Sequence, residues 1–191
     1  EAIRSSQLEG ASTTRAKARE MIRNRTRPRD RSERMILNNF QAMERIESLA
    51  ERPLDRELIF ELHSVLTDGT LEDPTAAGRF RRTEEEVVVE LLHSIETAHV
   101  PPPADELPAR LDELLAFANG VSTDEWIHPV LRAVILHFMI GYDHPFVDGN
   151  GRVARALFYW AMIRHGYPQV KYLSISQVLR EAPGRYQAAY L

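Results

Sequence analysis

Apolar residues recur every three to four positions along most of the chain, which is the pattern of helices that bury one face. Five such stretches lie at residues 36–50, 58–66, 107–118, 128–139 and 150–165. The helix-breaking and helix-starting residues agree with these limits. Pro53 ends the first stretch, Asp55 can cap the second, and Pro129 opens the fourth. The spacing therefore predicts an all-α fold.

The same spacing predicts which side chains face the core. In the fourth helix these are Leu131, Val134, Ile135, Phe138 and Met139. In the fifth helix they are Val153, Leu157, Trp160 and Ala161. Isolated polar residues are interpreted structurally: His63 and His165 as helix surface or end residues, His137 as a packed core histidine.

One segment, residues 79–103, departs from the helical pattern. It contains the β-branched run 87–89 and ends in three consecutive prolines at 101–103, which cannot continue a helix. This composition predicts a short β-hairpin, here called the flap. Near the N-terminus, residues 5–10 predict a short helical turn.

Composition and charge exclude several classes of protein. The chain lacks cysteine, so disulfides and thiolate metal sites are excluded. With no apolar run long enough to span a bilayer and no signal-peptide pattern, we expect a cytoplasmic protein without membrane contact. The net charge is −4, although residues 1–34 carry ten Lys or Arg against five acids. This basic stretch lacks aromatic residues, so a solvated connector is favoured and nucleic-acid binding is unlikely.

The segment from His144 to Arg155, HPFVDGNGRVAR, combines several groups suited to phosphate chemistry. Its two glycines flank an asparagine at the start of a helix, where backbone N–H groups can form an anion nest. Arg152 and Arg155 add cations, and Asp148 adds a hard oxygen ligand suited to Mg²⁺. His144 can exchange a proton near neutral pH. Together they indicate phosphoryl or nucleotidyl transfer.

This segment resembles the Fic-domain signature, H-x-F-x-[DE]-G-N-G-R-x-x-R, at all of its specified positions. Three weaker resemblances surround it: residues 78–81 (GRFR) and 99–102 (HVPP) at the two ends of the flap, and 38–42 (NNFQA) upstream. The resemblance implies a mainly helical Fic fold with a β-hairpin flap. It also implies two units: an N-terminal inhibitory helix and basic connector at 1–34, and a catalytic domain at 35–191.

Fic proteins mostly transfer AMP from ATP to a protein hydroxyl, so the resemblance implies a role for each matched residue. His144 would be the general base, and Asp148 would hold Mg²⁺. Gly149 and Gly151 would contact phosphate oxygens through their backbones, and Asn150 would contact the α-phosphate. Arg152 would contact the β-phosphate and Arg155 the γ-phosphate. The rest of the nucleotide would lie near Thr97, Ala98, His99 and Tyr186. The target protein would dock on the flap at about 84–99, and a homodimer is a possible assembly.

The segment SSQLEG at residues 5–10 matches the inhibitory motif of the family, [ST]-x-x-x-E-[GN]. By this resemblance Ser5, Glu9 and Gly10 form a brake. The Glu9 carboxylate would pair with Arg155 and so remove the cation intended for the γ-phosphate.

Several alternatives stay open at this point. Gly151 stands where Doc-like kinases have lysine, which favours AMP transfer over phosphorylation. The phosphate nest itself does not select among AMP, UMP and phosphocholine, and relatives with this brake can also remove AMP. Two non-enzymatic alternatives are a nucleotide-sensing binding module and a DNA-associated regulator that uses the Arg-rich segment.

Overall fold

The structure, a computed structural model, describes residues 1–90, 97–121 and 126–188. These residues form nine α-helices, three short 3-10 helices and one pair of short strands. The helices are α1 (Ala2–Leu8), α2 (Arg15–Asn24), α3 (Arg31–Leu49), α4 (Arg56–Thr67), α5 (Leu107–Ala118), α6 (Pro129–Asp143), α7 (Asn150–Arg164), α8 (Ile175–Glu181) and α9 (Pro183–Ala188). The predicted all-α fold is confirmed, and the five predicted stretches lie on α3 to α7.

The strands are β1 (Val89–Glu90) and β2 (Thr97–His99), which pair antiparallel with Val89 opposite His99. They fall within the segment predicted as a flap. The residues that would join them, 91–96, lie outside the described part of the chain. The predicted hairpin is therefore described only at its base.

Helix α7 is the centre of the fold and packs against α3, α4 and α6. Its predicted inward residues Val153, Leu157, Trp160 and Ala161 are all buried. The Trp160 indole donates a hydrogen bond of 3.0 Å to the Leu49 carbonyl at the end of α3. This packing holds α7 in place, and with it the helix N-terminus at which the glycine-rich loop ends.

Three of the five residues predicted to face the core from α6 are exposed, although Met139 packs against the core as predicted. Leu131, Val134 and Ile135 are exposed, whereas Ala133, Leu136 and Ile140 are buried against α5 and α7. Apolar side chains occur on two sides of this helix, so spacing alone could not select the buried one. The buried face includes Ala133, whose small side chain lets the neighbouring helices approach.

Helix α1 is held against α3, α7 and α8 by buried polar contacts as well as by packing. Ser5 and Ser6 are buried, and Asn39 on α3 donates a 2.8 Å hydrogen bond to the Ser6 hydroxyl. The Glu1 carboxylate accepts hydrogen bonds from Ser174 and Ser176 at the start of α8. These contacts place Glu9, at the end of α1, beside the N-terminus of α7. Nowhere in the described residues is there a helix long and apolar enough to cross a membrane.

Candidate active site

The loop 144–149 joins α6 to α7, and both of its ends have left-handed backbone conformations. His144 ends α6 with φ of 45°, and Gly149 precedes α7 with φ of 92°. A Cβ at position 149 would lie only 2.8 Å from Cγ2 of Thr67, so the loop presses directly on α4. Glycine is required here both by the backbone angle and by this close approach.

The His144 imidazole is oriented by the turn that precedes it. Its Nδ1 lies 3.0 Å from the Gly141 carbonyl, and because a carbonyl can only accept, Nδ1 carries the proton. Nε2 is then the nitrogen that can accept a proton from a substrate. Burial lowers the pKa of His144 below its usual value, which keeps the ring in its neutral, proton-accepting form near neutral pH.

Asn150 stabilises the loop through both ends of its amide. Its Oδ1 accepts from the Phe146 backbone N–H at 2.9 Å, and its Nδ2 donates to the Phe146 carbonyl at 2.7 Å. Phe146 is fully buried and stacks on His63 with ring centroids 3.8 Å apart. The Asn150 side chain therefore holds the loop closed, a task distinct from the expected contact with the α-phosphate, which stays a prediction.

The Asp148 carboxylate is held between two arginines. Oδ1 accepts from Arg152 at 3.1 Å, and Oδ2 accepts from Arg31, the first residue of α3, at 3.1 Å. Its side chain is 38% exposed and borders the cavity described below. The described residues contain no group of three or more His, Asp or Glu side chains that could hold a metal ion by themselves. A lone accessible carboxylate does fit Mg²⁺, which commonly takes one or two carboxylates and completes its shell with substrate phosphates and water.

Arg152 lies between the active-site loop and α4, and its Nη2 donates to Asp148 Oδ1 at 3.1 Å. Its side chain is fully buried, and Nη1 donates to the Leu66 carbonyl at the end of α4 at 2.8 Å. The expected contact of Arg152 with the β-phosphate stays a prediction. Arg152 contacts the loop and α4, whereas Arg155, three residues later on α7, contacts α1.

Arg155 lies at the cavity and is held by an ion pair and hydrogen bonds to residues of α1 and its C-terminal end. Nη2 is 2.6 Å from Glu9 Oε1, and Nε donates to the Ser5 hydroxyl at 2.8 Å. Nη2 also reaches the Ser5 carbonyl at 3.2 Å. The Arg155 side chain is only 4% exposed and that of Glu9 is 27% exposed, so the pair is largely shielded from water. Gly10 follows with φ of 87°, where glycine is favoured.

These residues enclose a cavity of about 360 Å³. His144, Asp148, Gly151 and Arg155 line it from the loop and α7, and Glu9 lines it from α1. His99 and Tyr186 line its other side, where the Tyr186 hydroxyl lies 2.9 Å from Nε2 of His137. Two further residues expected near the nucleotide, Thr97 and Ala98, precede His99 on β2, and their contact with the nucleotide stays a prediction.

His63 was missed by the sequence analysis, which interpreted it as a surface or helix-end residue. It is fully buried beneath the loop. Its Nδ1 accepts from the Gly78 backbone N–H at 2.9 Å, so its Nε2 carries the proton and donates to the Asp148 carbonyl at 2.9 Å. Burial lowers its pKa to about 4. His63 follows Ile59 by four residues and Phe60 by three, so it lies on the same helix face as these apolar residues. This spacing was the signal of burial available in the sequence.

A glycine-rich loop at a helix N-terminus, a buried histidine and a cavity-facing arginine form an arrangement suited to binding phosphate groups. The comparison with family models agrees: residues 53–162 match the Fic/DOC family. Since this match covers more than half of the chain, the protein belongs to the Fic/DOC family.

Relatives and solved structures extend the likeness beyond the signature. The chain is 31% identical over 168 residues to protein adenylyltransferase Fic of Drosophila grimshawi, and 30% identical to that of Drosophila melanogaster. In each case the match covers 85% of this chain and 32% of the relative, so the chain spans about a third of their length.

Two crystal structures share the fold at 25% identity. A Fic family protein from Desulfovibrio desulfuricans G20 has a TM-score of 0.80, with 99% of this chain and 55% of that one covered. A Fic domain containing signaling protein from Bacteroides thetaiotaomicron VPI-5482 has a TM-score of 0.72, with 91% and 68% covered.

Proposed function

We propose that the protein is an adenylyltransferase that moves AMP from ATP to a Ser, Thr or Tyr hydroxyl of a target protein. One observation carries the proposal. The imidazole of His144, whose Nε2 can accept a proton, lines the same cavity as the glycine-rich loop and Arg155. A proton acceptor and a phosphate cradle in one cavity are what nucleotidyl transfer to an alcohol requires. The names of the Drosophila relatives support the same activity.

In this reaction the target hydroxyl oxygen attacks the α-phosphorus of ATP. A new P–O bond forms to the target, the bond to the pyrophosphate oxygen breaks, and the hydroxyl proton passes to Nε2 of His144. The backbone N–H groups of residues 149–151 and the positive end of α7 would stabilise the phosphate oxygens. Asp148 would hold Mg²⁺, which when bound neutralises phosphate charge. Arg155 would pair with the γ-phosphate once released from Glu9.

The contact between Glu9 and Arg155 supports autoinhibition. Glu9 pairs with Arg155, the arginine that lines the cavity among the described residues, and lies over Gly151, so both the charge and the space needed by the terminal phosphates are taken. Because the pair is mostly shielded from solvent, separating it costs more than breaking an exposed ion pair. A competing event must therefore displace α1 before the nucleotide can bind productively.

The flap would supply the target-docking surface. Val87, Val88 and Val89 line the cavity mouth beside His99. An extended target segment could add to this edge as a strand, which would align its hydroxyl without strict sequence demands. The predicted docking range of about 84–99 includes residues 91–96, which lie outside the described part of the chain.

Transfer of label tests the proposal. The Glu9→Gly chain is incubated with MgATP labelled at the α-phosphate or at the γ-phosphate, and protein-bound label is followed, including self-modification. Adenylyl transfer predicts incorporation of the α-label alone and its loss in Glu9→Gly/His144→Ala. Incorporation of the γ-label would indicate phosphorylation. Nucleotide binding without incorporation of either label would favour the sensing module, and labelled UTP or CDP-choline tests the other donors.

A further inference from the structure

The segment 78–81 passes behind the active-site loop and is pressed against α4. Gly78 has φ of 69°, and a Cβ there would overlap the Ser64 hydroxyl and lie 3.3 Å from the Phe60 carbonyl. Two residues later, the Phe80 ring packs edge-on against Phe60, with centroids 5.0 Å apart. The backbone of this segment is thus fixed by the helix beneath it, and it can serve as a rigid support.

Arg81, at the end of this segment, makes two hydrogen bonds to the start of the loop. Its backbone N–H donates to the Pro145 carbonyl at 2.8 Å. Its Nε donates to the His144 carbonyl at 2.8 Å. Because His144 has φ of 45°, a conformation unfavourable for a residue with a Cβ, external contacts of this kind are needed to hold it.

The same guanidinium reaches the other end of the flap. Nη2 of Arg81 donates to the Pro102 carbonyl, three residues after β2 ends at His99. Arg81 itself precedes β1. One side chain therefore joins the two ends of the flap to the peptide of His144.

The position of this guanidinium is costly for stability. Arg81 is only 7% exposed, and burial lowers its pKa. Among the described residues the hydrogen-bond partners of this guanidinium are carbonyl groups, and the carboxylate of the adjacent Asp143 pairs instead with Arg110 at 2.8 Å. A buried cation that lacks a carboxylate partner opposes folding. A gain in stability therefore does not account for it.

We propose that Arg81 is a positioning residue that fixes His144 relative to the flap, so that a hydroxyl presented there meets Nε2 at reacting distance. The proposal rests on the proposed function, which assigns the flap to the target and His144 to the proton. Arg81 acts through His144, because its side chain is not among the residues lining the cavity.

The test compares transfer rate with nucleotide affinity in the Glu9→Gly chain. Arg81→Lys keeps the positive charge but cannot donate to the His144 and Pro102 carbonyls at once. The rate of transfer from α-labelled ATP is expected to fall about 10- to 100-fold, as for a small displacement of a reacting group, while the Kd for MgATP changes by less than about twofold. Arg82→Lys, the same change at the exposed neighbouring arginine, is expected to alter neither quantity.

A second measurement does not depend on transfer. The ¹⁵N signals of the His144 ring are expected to shift in Arg81→Lys and to stay in place in Arg82→Lys. If the Glu9→Gly chain incorporates no label, the proposed function is refuted. The ¹⁵N signals of His144 still report in that case whether Arg81 positions the ring. Arg81→Gln is the substitute if Arg81→Lys fails to unfold cooperatively.

Three results would overturn the proposal. In the first, Arg81→Lys transfers label at the unchanged rate with unshifted His144 signals. In the second, the rate and the MgATP affinity fall together, which is the result of a general loss of structure. In the third, neither Arg81→Lys nor Arg81→Gln folds, which would make Arg81 a folding residue instead.

Discussion

The carboxylate of Glu9 occupies the space where a side chain of residue 151 would begin. A Cβ built on Gly151 would overlap Glu9 Oε1 and lie 3.0 Å from Arg155 Nη1. Gly151 is the second residue of α7, where backbone N–H groups attract anions. Glu9 therefore occupies this anion site with its own carboxylate while pairing with Arg155.

This double contact predicts graded release by two substitutions. Glu9→Gly removes both the charge and the volume, so we expect adenylyl transfer to rise at least about tenfold, the equivalent of a lost contact of roughly 1.4 kcal/mol. Glu9→Gln removes the charge and keeps the volume, so a smaller rise is expected. Incorporation of label from α-labelled ATP measures both. Equal rates in the wild type and Glu9→Gly would show that the contact is not inhibitory.

Gly149 offers a test of the close approach between the loop and α4. In Gly149→Ala the new methyl group meets Thr67 Cγ2 at 2.8 Å in addition to the strain of φ at 92°. Gly166 has φ of 93° but open space around its Cβ position, so Gly166→Ala is the matched control for strain alone. We expect Gly149→Ala to lose about 1–3 kcal/mol more of the free energy of unfolding than Gly166→Ala, measured in urea. Equal losses would show that Thr67 yields easily.

The sequence was sufficient for helices α3 to α7 and for the composition of the loop, but α2, α8 and α9 were not predicted. Apolar spacing and capping residues such as Asp55, whose side chain accepts from the Leu58 N–H at 2.7 Å, act locally and are visible in one dimension. The contact between Glu9 and Arg155 was expected from family resemblance, since 145 residues lie between the two. Periodicity alone gives no information about such a distant pair.

The details that sequence could not supply depend on which of several neighbours a side chain selects. Arg152 turns to the Leu66 carbonyl, and the Asn150 amide pairs with the backbone of Phe146. On α6 the choice was between two apolar faces, and the packing of Ala133 against its neighbours decided it. Each outcome follows from three-dimensional packing that leaves no trace in residue spacing.

The contact between Arg31 and Asp148 predicts an effect of Arg31 on metal binding. Arg31 donates to Asp148 Oδ2 at 3.1 Å and is anchored through Nε to the Thr70 carbonyl at 2.9 Å. A cation beside the expected Mg²⁺ ligand competes with the ion, although solvent weakens the effect because Arg31 is 59% exposed. Arg31→Ala should therefore bind Mn²⁺, used as a spectroscopic probe, about two- to fivefold more tightly, corresponding to 1 kcal/mol or less.

Arg34→Ala provides the control, because Arg34 pairs with Asp68 and not with Asp148. It should leave the Mn²⁺ affinity unchanged. An Arg31→Ala chain with unaltered affinity for Mn²⁺ would contradict the prediction.

The buried histidines predict a loss of stability on acidification. Burial lowers the pKa values of His63 and His137 to about 4, against 6.5 in an unfolded chain. The unfolded state therefore takes up protons first, so stability is complete above pH 6.5 and falls as the pH drops toward 4. Between about pH 7.5 and pH 5 each histidine should cost about 2 kcal/mol of the free energy of unfolding.

Urea denaturation across this range measures the effect. The acidic groups with lowered pKa values, such as Glu85 at about 2, lose their contribution at lower pH and do not interfere. In His137→Gln the loss of unfolding free energy between about pH 7.5 and pH 5 should be smaller than in the wild type by about 2 kcal/mol, the contribution of one histidine. The same pH dependence in the wild type and His137→Gln would refute this assignment.

His63 allows its two hydrogen bonds to be separated by substitution. In His63→Asn the amide oxygen can replace Nδ1 as acceptor for the Gly78 N–H, while the donor to Asp148 is lost. In His63→Gln the longer amide can replace Nε2 as donor to the Asp148 carbonyl, while the acceptor for Gly78 is lost. Both variants lose the stacking on Phe146, so both should be less stable than the wild type by a similar amount. Because the Asp148 carbonyl directly precedes Gly149, only His63→Asn should free the loop.

Both variants are compared in the Glu9→Gly chain. There the MgATP affinity of His63→Asn should be about tenfold lower than that of His63→Gln, which corresponds to the loss of a hydrogen bond of roughly 1.4 kcal/mol. Calorimetric titration with MgATP and urea denaturation measure the two quantities separately, and equal affinities in the two variants would show that the bond from His63 does not position the loop.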